Sequence, residues 1–115
     1  MKLAFVFSGL PDGLQYLDNN RKNVANVLRK SGWEVADVIF HGLTSSLMQR
    51  INEYKDKEID NFIFFYTGHG DCSNNDGVLH LRLVDGTPLD LNQLFGGYLS
   101  QLNIKKKSII LDACY

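Results

Sequence analysis

The stretch Asn61-Phe62-Ile63-Phe64-Phe65-Tyr66 is almost wholly apolar. It is too short to cross a bilayer. A strand that carries large apolar side chains on both faces must be covered on both, and this predicts a central strand of a parallel sheet. The chain around it alternates accordingly. Leu3 to Phe7 is a short apolar run closed by Ser8-Gly9, followed by a turn-rich loop from Leu10 to Gly13. Asp18 to Lys30 has helical spacing, with Val24, Val27 and Leu28 on one face and Asp18 or Asn19 available as a cap. Arg29 and Lys30 fall in its last turn, and Gly32 suits the left-handed position beyond it.

Trp33 to Phe40 reads as the second strand. Thr44 to Lys55 reads as a second helix with Leu47, Met48, Ile51 and Tyr54 inward, capped by Thr44 or by a Ser46–Gln49 capping box. Asp76-Gly77 and Asp85-Gly86 are turn signals around Val78 to Val84, which predicts a small antiparallel hairpin off the main sheet. Asp90 is placed to cap a third helix with Leu91, Leu94, Phe95, Leu99 and Leu102 inward, and Ser108 to Asp112 closes the series as a strand. The order strand, helix, strand, helix, strand, hairpin, helix, strand is that of an α/β sandwich with a mainly parallel sheet.

Bulk composition narrows the function classes. With 115 residues, 44% hydrophobic and 22% charged, the chain has enough material for one domain with a core. A net charge of -1 gives no electrostatic reason to bind nucleic acid or an anionic membrane. Met1 to Phe7 is too short for a signal-peptide core. Cys72 and Cys114 do not make a disulfide framework, so a reducing, cytoplasmic setting is expected.

Functional groups in such sheets gather beyond the carboxyl ends of the strands. Two motifs fall there. Thr67-Gly68-His69-Gly70 follows the central strand, and its glycines permit a sharp turn with open space around the imidazole. Asp112-Ala113-Cys114 follows the last strand. A cysteine attacks as thiolate and needs a neighbouring base, which His69 supplies if the two strands are neighbours. The plainer alternatives are a surface-turn histidine and a buried structural cysteine.

A zinc set of His69, Cys72, His80 and Cys114 is a further reading, but only His69 and Cys72 form a compact pair, so no metal is expected. Cys72 and His41 read as loop residues, and Lys105-Lys106-Lys107 as a solvated edge before the last strand. Ser8 to Gly13 lacks the glycine spacing of a phosphate loop.

Taken together, Leu3–Phe7, Asn20–Trp33, Tyr66-Thr67-Gly68-His69-Gly70 and Asp112-Ala113-Cys114 resemble the large-subunit region of the caspase-like cysteine peptidases, which include caspases, metacaspases and paracaspases. The separation of His69 and Cys114 is close to the roughly 50 residues between histidine and cysteine in caspases. The resemblance covers nearly the whole chain. It implies a three-layer caspase-like sandwich over residues 1–115, corresponding to the large-subunit part and ending just after the nucleophile.

The resemblance also implies Cys114 as nucleophile, His69 as acid–base partner, and the N–H groups of Gly70 and Cys114 as an oxyanion hole. Asp112 takes the place where metacaspases and paracaspases carry the aspartate that selects Arg or Lys, and where caspases carry glutamine. A partly desolvated carboxylate favours a cationic side chain and penalises an anionic one. The chain departs from the family in having Tyr115 after the cysteine, and no acidic cluster for a calcium site is evident. No cofactor is expected, with calcium activation left open. The expected partners are a protein substrate and either a second, small-subunit-like half or another copy joined through the sheet edge. The rival reading is an inactive caspase-like scaffold.

Overall fold

The computed structural model describes residues 1–9, 16–38, 43–72, 79–82 and 88–114. Four strands form a parallel sheet in the order β2 (Glu34–Val38), β1 (Lys2–Ser8), β3 (Glu58–Cys72), β6 (Asn103–Cys114). The apolar run seen in the sequence is the middle of β3, flanked by β1 and β6 along most of its length. The last three residues of β3 turn to another partner. Gly70–Cys72 pair antiparallel with β4 (Leu79–Arg82), which pairs in turn with β5 (Pro88–Asp90). The predicted hairpin is therefore present as β4 and β5 and is joined to the sheet through the end of β3. Its turn residues, Asp76-Gly77 and Asp85-Gly86, lie outside the described residues, as do Leu10–Gly13 and His41.

Strand alternation sorts the core into two layers. On one face Leu3, Phe5 and Phe7 of β1 meet Phe62, Phe64 and Tyr66 of β3, under Leu47, Ile51 and Tyr54 of α2 (Leu43–Tyr54) and Leu94, Leu99 and Leu102. Their rings interlock edge to face. Phe7 and Phe64 lie 5.1 Å apart at 84°, and Phe5 and Phe62 lie 5.2 Å apart at 75°. Such pairs add to the area they bury. On the other face the side chains are smaller. Ala4, Val6 and Phe65 pack with Ala25 of α1 (Leu17–Lys30), and the alanines leave room for the helix to sit close to the sheet. Helices on both faces of one sheet make a three-layer α/β arrangement, as the resemblance implies.

Several local expectations shift. α1 begins after Tyr16, not after Asp18 or Asn19, and Tyr16 gives no side-chain cap. Asp18 lies in the first turn instead, where Arg21 Nη2 donates to its Oδ1 at 2.6 Å and Lys22 Nζ lies 3.2 Å from Oδ2. These cations hold the Asp18 carboxyl below the ordinary aspartate range, the hydrogen bond from Arg21 contributing most. Gly32 does adopt the left-handed conformation, at φ +87°. α2 is described from Leu43, and the side chains of Thr44 and Ser46, the predicted caps, lie outside what is described.

The third helix is not continuous. Asp90 caps it as expected, accepting from the Asn92 and Gln93 N–H groups at 2.6 and 3.4 Å. After one α-turn, α3 (Leu91–Gln93), it passes into a π-turn over Leu94–Tyr98 and a 3-10 turn over Leu99–Gln101. Gly96 and Gly97 sit in that π-turn, where poor helix propensity weakens the α-helical ladder. β6 is longer than Ser108 to Asp112, and Lys105, Lys106 and Lys107 belong to it as exposed strand residues. Among the described residues, no helix is long and apolar enough to cross a membrane.

Candidate active site

The two motifs meet because β3 and β6 run parallel and in register. Every paired residue differs by 45 in number, from Glu58↔Asn103 to His69↔Cys114. Three successive pairs close the ladder: Thr67↔Asp112, Gly68↔Ala113 and His69↔Cys114. Adjacent strands lie about 4.8 Å apart. The histidine and the cysteine backbones are therefore direct neighbours at the carboxyl end of the sheet. Of Cys114 and Cys72 the structure describes only the backbone.

Below the motifs the ladder is apolar, with Val6, Phe65 and Ile110 side by side. Two residues further, on the same face, the row is Ser8, Thr67 and Asp112. Ser8 and Thr67 are both buried polar residues. The change from apolar to polar marks where the sheet stops serving the core. Asp112 is exposed, and the Thr67 hydroxyl donates to its Oδ2 at 3.0 Å. His69, two residues beyond Thr67, is half-buried.

The backbone that presents His69 is held from beneath. The Tyr66 side chain is wholly buried, and its hydroxyl donates to the His69 carbonyl at 2.6 Å. That reach passes under Gly68, whose φ of +153° favours glycine. A Cβ at position 68 would stand 2.7 Å from the Tyr66 hydroxyl oxygen and 3.1 Å from the Gly9 nitrogen. The Gly9 N–H donates to the Thr67 carbonyl at 2.9 Å, tying the end of β1 to the same turn. The first glycine of Thr67-Gly68-His69-Gly70 is thus required by contact as well as by conformation. Gly70 is buried and register-paired with Leu81 of β4.

Of the four residues in the zinc reading, His80 pairs with Asp71 across β3 and β4, and its Nε2 lies 3.9 Å from Asp90 Oδ2. Among the described residues, no group of three or more His, Cys, Asp or Glu is arranged to hold a metal ion. Residue type alone does not mark Tyr66 and Thr67, whose hydroxyl groups bond the His69 carbonyl and Asp112, as site residues. The signal was available all the same. Once His69 and Cys114 are aligned as neighbours, the same offset sets Thr67 against Asp112.

The family model described as the caspase domain matches residues 4–115. No curated protein matches the chain.

Proposed function

The chain belongs to the caspase-domain family of cysteine peptidases, and from that premise we propose that it is an endopeptidase using a Cys114–His69 dyad and cutting after Arg or Lys. The in-register pairing His69↔Cys114 at the carboxyl end of the sheet carries this reading. The Cys114 thiolate attacks the scissile carbonyl carbon, and the oxyanion is stabilised by the N–H groups of Gly70 and Cys114. His69 protonates the departing amine, which leaves a thioester on Cys114. His69 then takes a proton from water, whose oxygen attacks the thioester and frees the acid and the thiol. Asp112 meets the cationic side chain before the cut, as in metacaspases and paracaspases. The reaction needs no cofactor, and a reducing compartment keeps the thiol competent.

The partner proposed beside the substrate is a second, small-subunit-like half, or another copy, added at β6. Among the described residues β6 pairs only with β3, and Ile109 and Ile110 are exposed on it, the latter 48%. An open edge of this kind invites another strand. The same observation favours the rival reading of a scaffold that binds a partner without cutting.

The test is cleavage by the full-length protein, with and without Cys114→Ala, of peptides carrying Arg, Lys or Asp before a reporter, with and without calcium. Cleavage after Arg or Lys that Cys114→Ala abolishes is the expected result. Cleavage after Asp would remove the role given to Asp112. Absence of cleavage by folded protein under all conditions would leave the scaffold reading.

A further inference from the structure

We propose that Thr67 is a positioning residue that sets the orientation of the Asp112 carboxylate and, through it, the preference for Arg over Lys before the cut. The inference rests on the substrate-pocket role proposed for Asp112 and adds a residue to it. Thr67 is 0% exposed, so its hydroxyl is fixed within the sheet, whereas Asp112 is exposed and its carboxylate would otherwise rotate freely. The two are register partners on adjacent parallel strands, and the 3.0 Å bond to Oδ2 holds the carboxylate at one torsion.

Carboxylate torsion matters differently to the two cations. An arginine guanidinium is a planar fork that binds both oxygens only when the carboxylate plane is aligned with it. A lysine ammonium is a point charge with three rotatable donors and tolerates a turned carboxylate. With Oδ2 fixed from within the sheet, the carboxylate of the exposed Asp112 meets a cation in one defined plane. Losing that bond therefore weakens arginine more than lysine.

The experiment compares Thr67→Val, Thr67→Ser and Asp112→Asn with the unaltered full-length protein, on peptide reporters ending in Arg or Lys. Thr67→Val keeps the shape and removes the donor. It is expected to raise KM for the Arg peptide roughly three- to tenfold, the equivalent of one hydrogen bond. The shift in kcat and in KM for the Lys peptide is expected to be smaller, so the Arg-to-Lys ratio falls. Thr67→Ser, which keeps the hydroxyl, is expected to restore the ratio.

The Asp112 carboxyl ¹³C resonance is followed in the same proteins. It is expected to move in Thr67→Val and to stay near its original position in Thr67→Ser. An unchanged ratio and resonance in Thr67→Val, or a Thr67→Ser variant that behaves like the valine, overturns the inference. If Asp112→Asn cleaves after Arg as well as the unaltered protein does, the pocket role of Asp112 fails instead. The resonance then still reports whether Thr67 holds the carboxylate.

Discussion

Gly68→Ala places one methyl group where the structure has no room for it. The added Cβ would stand 2.7 Å from the Tyr66 hydroxyl oxygen, 3.0 Å from Cζ of the same ring and 3.1 Å from the Gly9 nitrogen. The Tyr66 ring is fully buried and cannot swing away. Relief requires that the hydroxyl give up the His69 carbonyl, at about 1 kcal/mol for the hydrogen bond. The backbone at φ +153° adds about 1–3 kcal/mol of strain for any residue with a Cβ. The sum is about 2–4 kcal/mol. For a domain of this size it corresponds to a fall in Tm of about 10 °C or more.

Urea and thermal unfolding measure the loss directly, and a double-mutant cycle with Tyr66→Phe isolates its cause. Tyr66→Phe alone costs about 1 kcal/mol for the lost hydrogen bond. Because it also removes the nearest clashing atom, the double variant should be more stable than the sum of the singles by about 1 kcal/mol. If Gly68→Ala lies within about 0.5 kcal/mol of the unaltered protein, or if the two changes simply add, Tyr66 does not hold the turn as described.

Three further outcomes follow from the same structure. Phe64→Ala empties a fully buried site facing Phe7 and should cost about 3–5 kcal/mol by denaturant titration. Asp90→Ala removes the acceptor for the Asn92 and Gln93 N–H groups and should cost about 1 kcal/mol in the same assay. The Asp18 carboxyl is held below its ordinary value of 3.8 in the folded protein, so its ionised form favours folding. The stability difference between the unaltered protein and Asp18→Asn should therefore be full above pH 3.8 and close as the pH falls below that value. Half of the Asp18 side chain is exposed, so the difference should be no more than about 1 kcal/mol. A pH series of unfolding curves reads it.

The layered sheet was legible because its signals are long and redundant. Phe62 to Tyr66 can be satisfied only by cover on both faces. The inward stripe Leu47, Met48, Ile51, Tyr54 of α2 is buried or half-buried as its spacing requires. Element ends were less legible. Asp18 is as good a cap by type as Asp90, but α1 already begins at Leu17, so Asp18 lies inside the first turn, where it pairs with Arg21 and Lys22. The break in the third helix was written in Gly96-Gly97 but outweighed by the leucine spacing around it. In the site, His69, Cys114 and Asp112 stand out by chemical type. Tyr66 and Thr67 look like the last residues of an apolar strand, and only the pairing partner of each atom reveals what their hydroxyl groups do.

The shared offset of β3 and β6 has a consequence for how such a protein can change its length. The two motifs are aligned by a zipper of apolar pairs, Phe64 with Ile109 and Phe65 with Ile110, that lies behind the chemistry and takes no part in it. Residues added between Cys72 and Asn103 leave the zipper untouched so long as they fall outside β4, β5 and the helical turns whose leucines pack on the sheet. One residue added within Phe62–Thr67 or Lys107–Asp112 slides a strand by one step and turns its side chains to the opposite face. Asp112 would then face away from Thr67, and His69 would lose its neighbour. Added length is thus tolerable only outside the paired strands and the elements packed on them, and a change of length within either strand takes the two motifs apart.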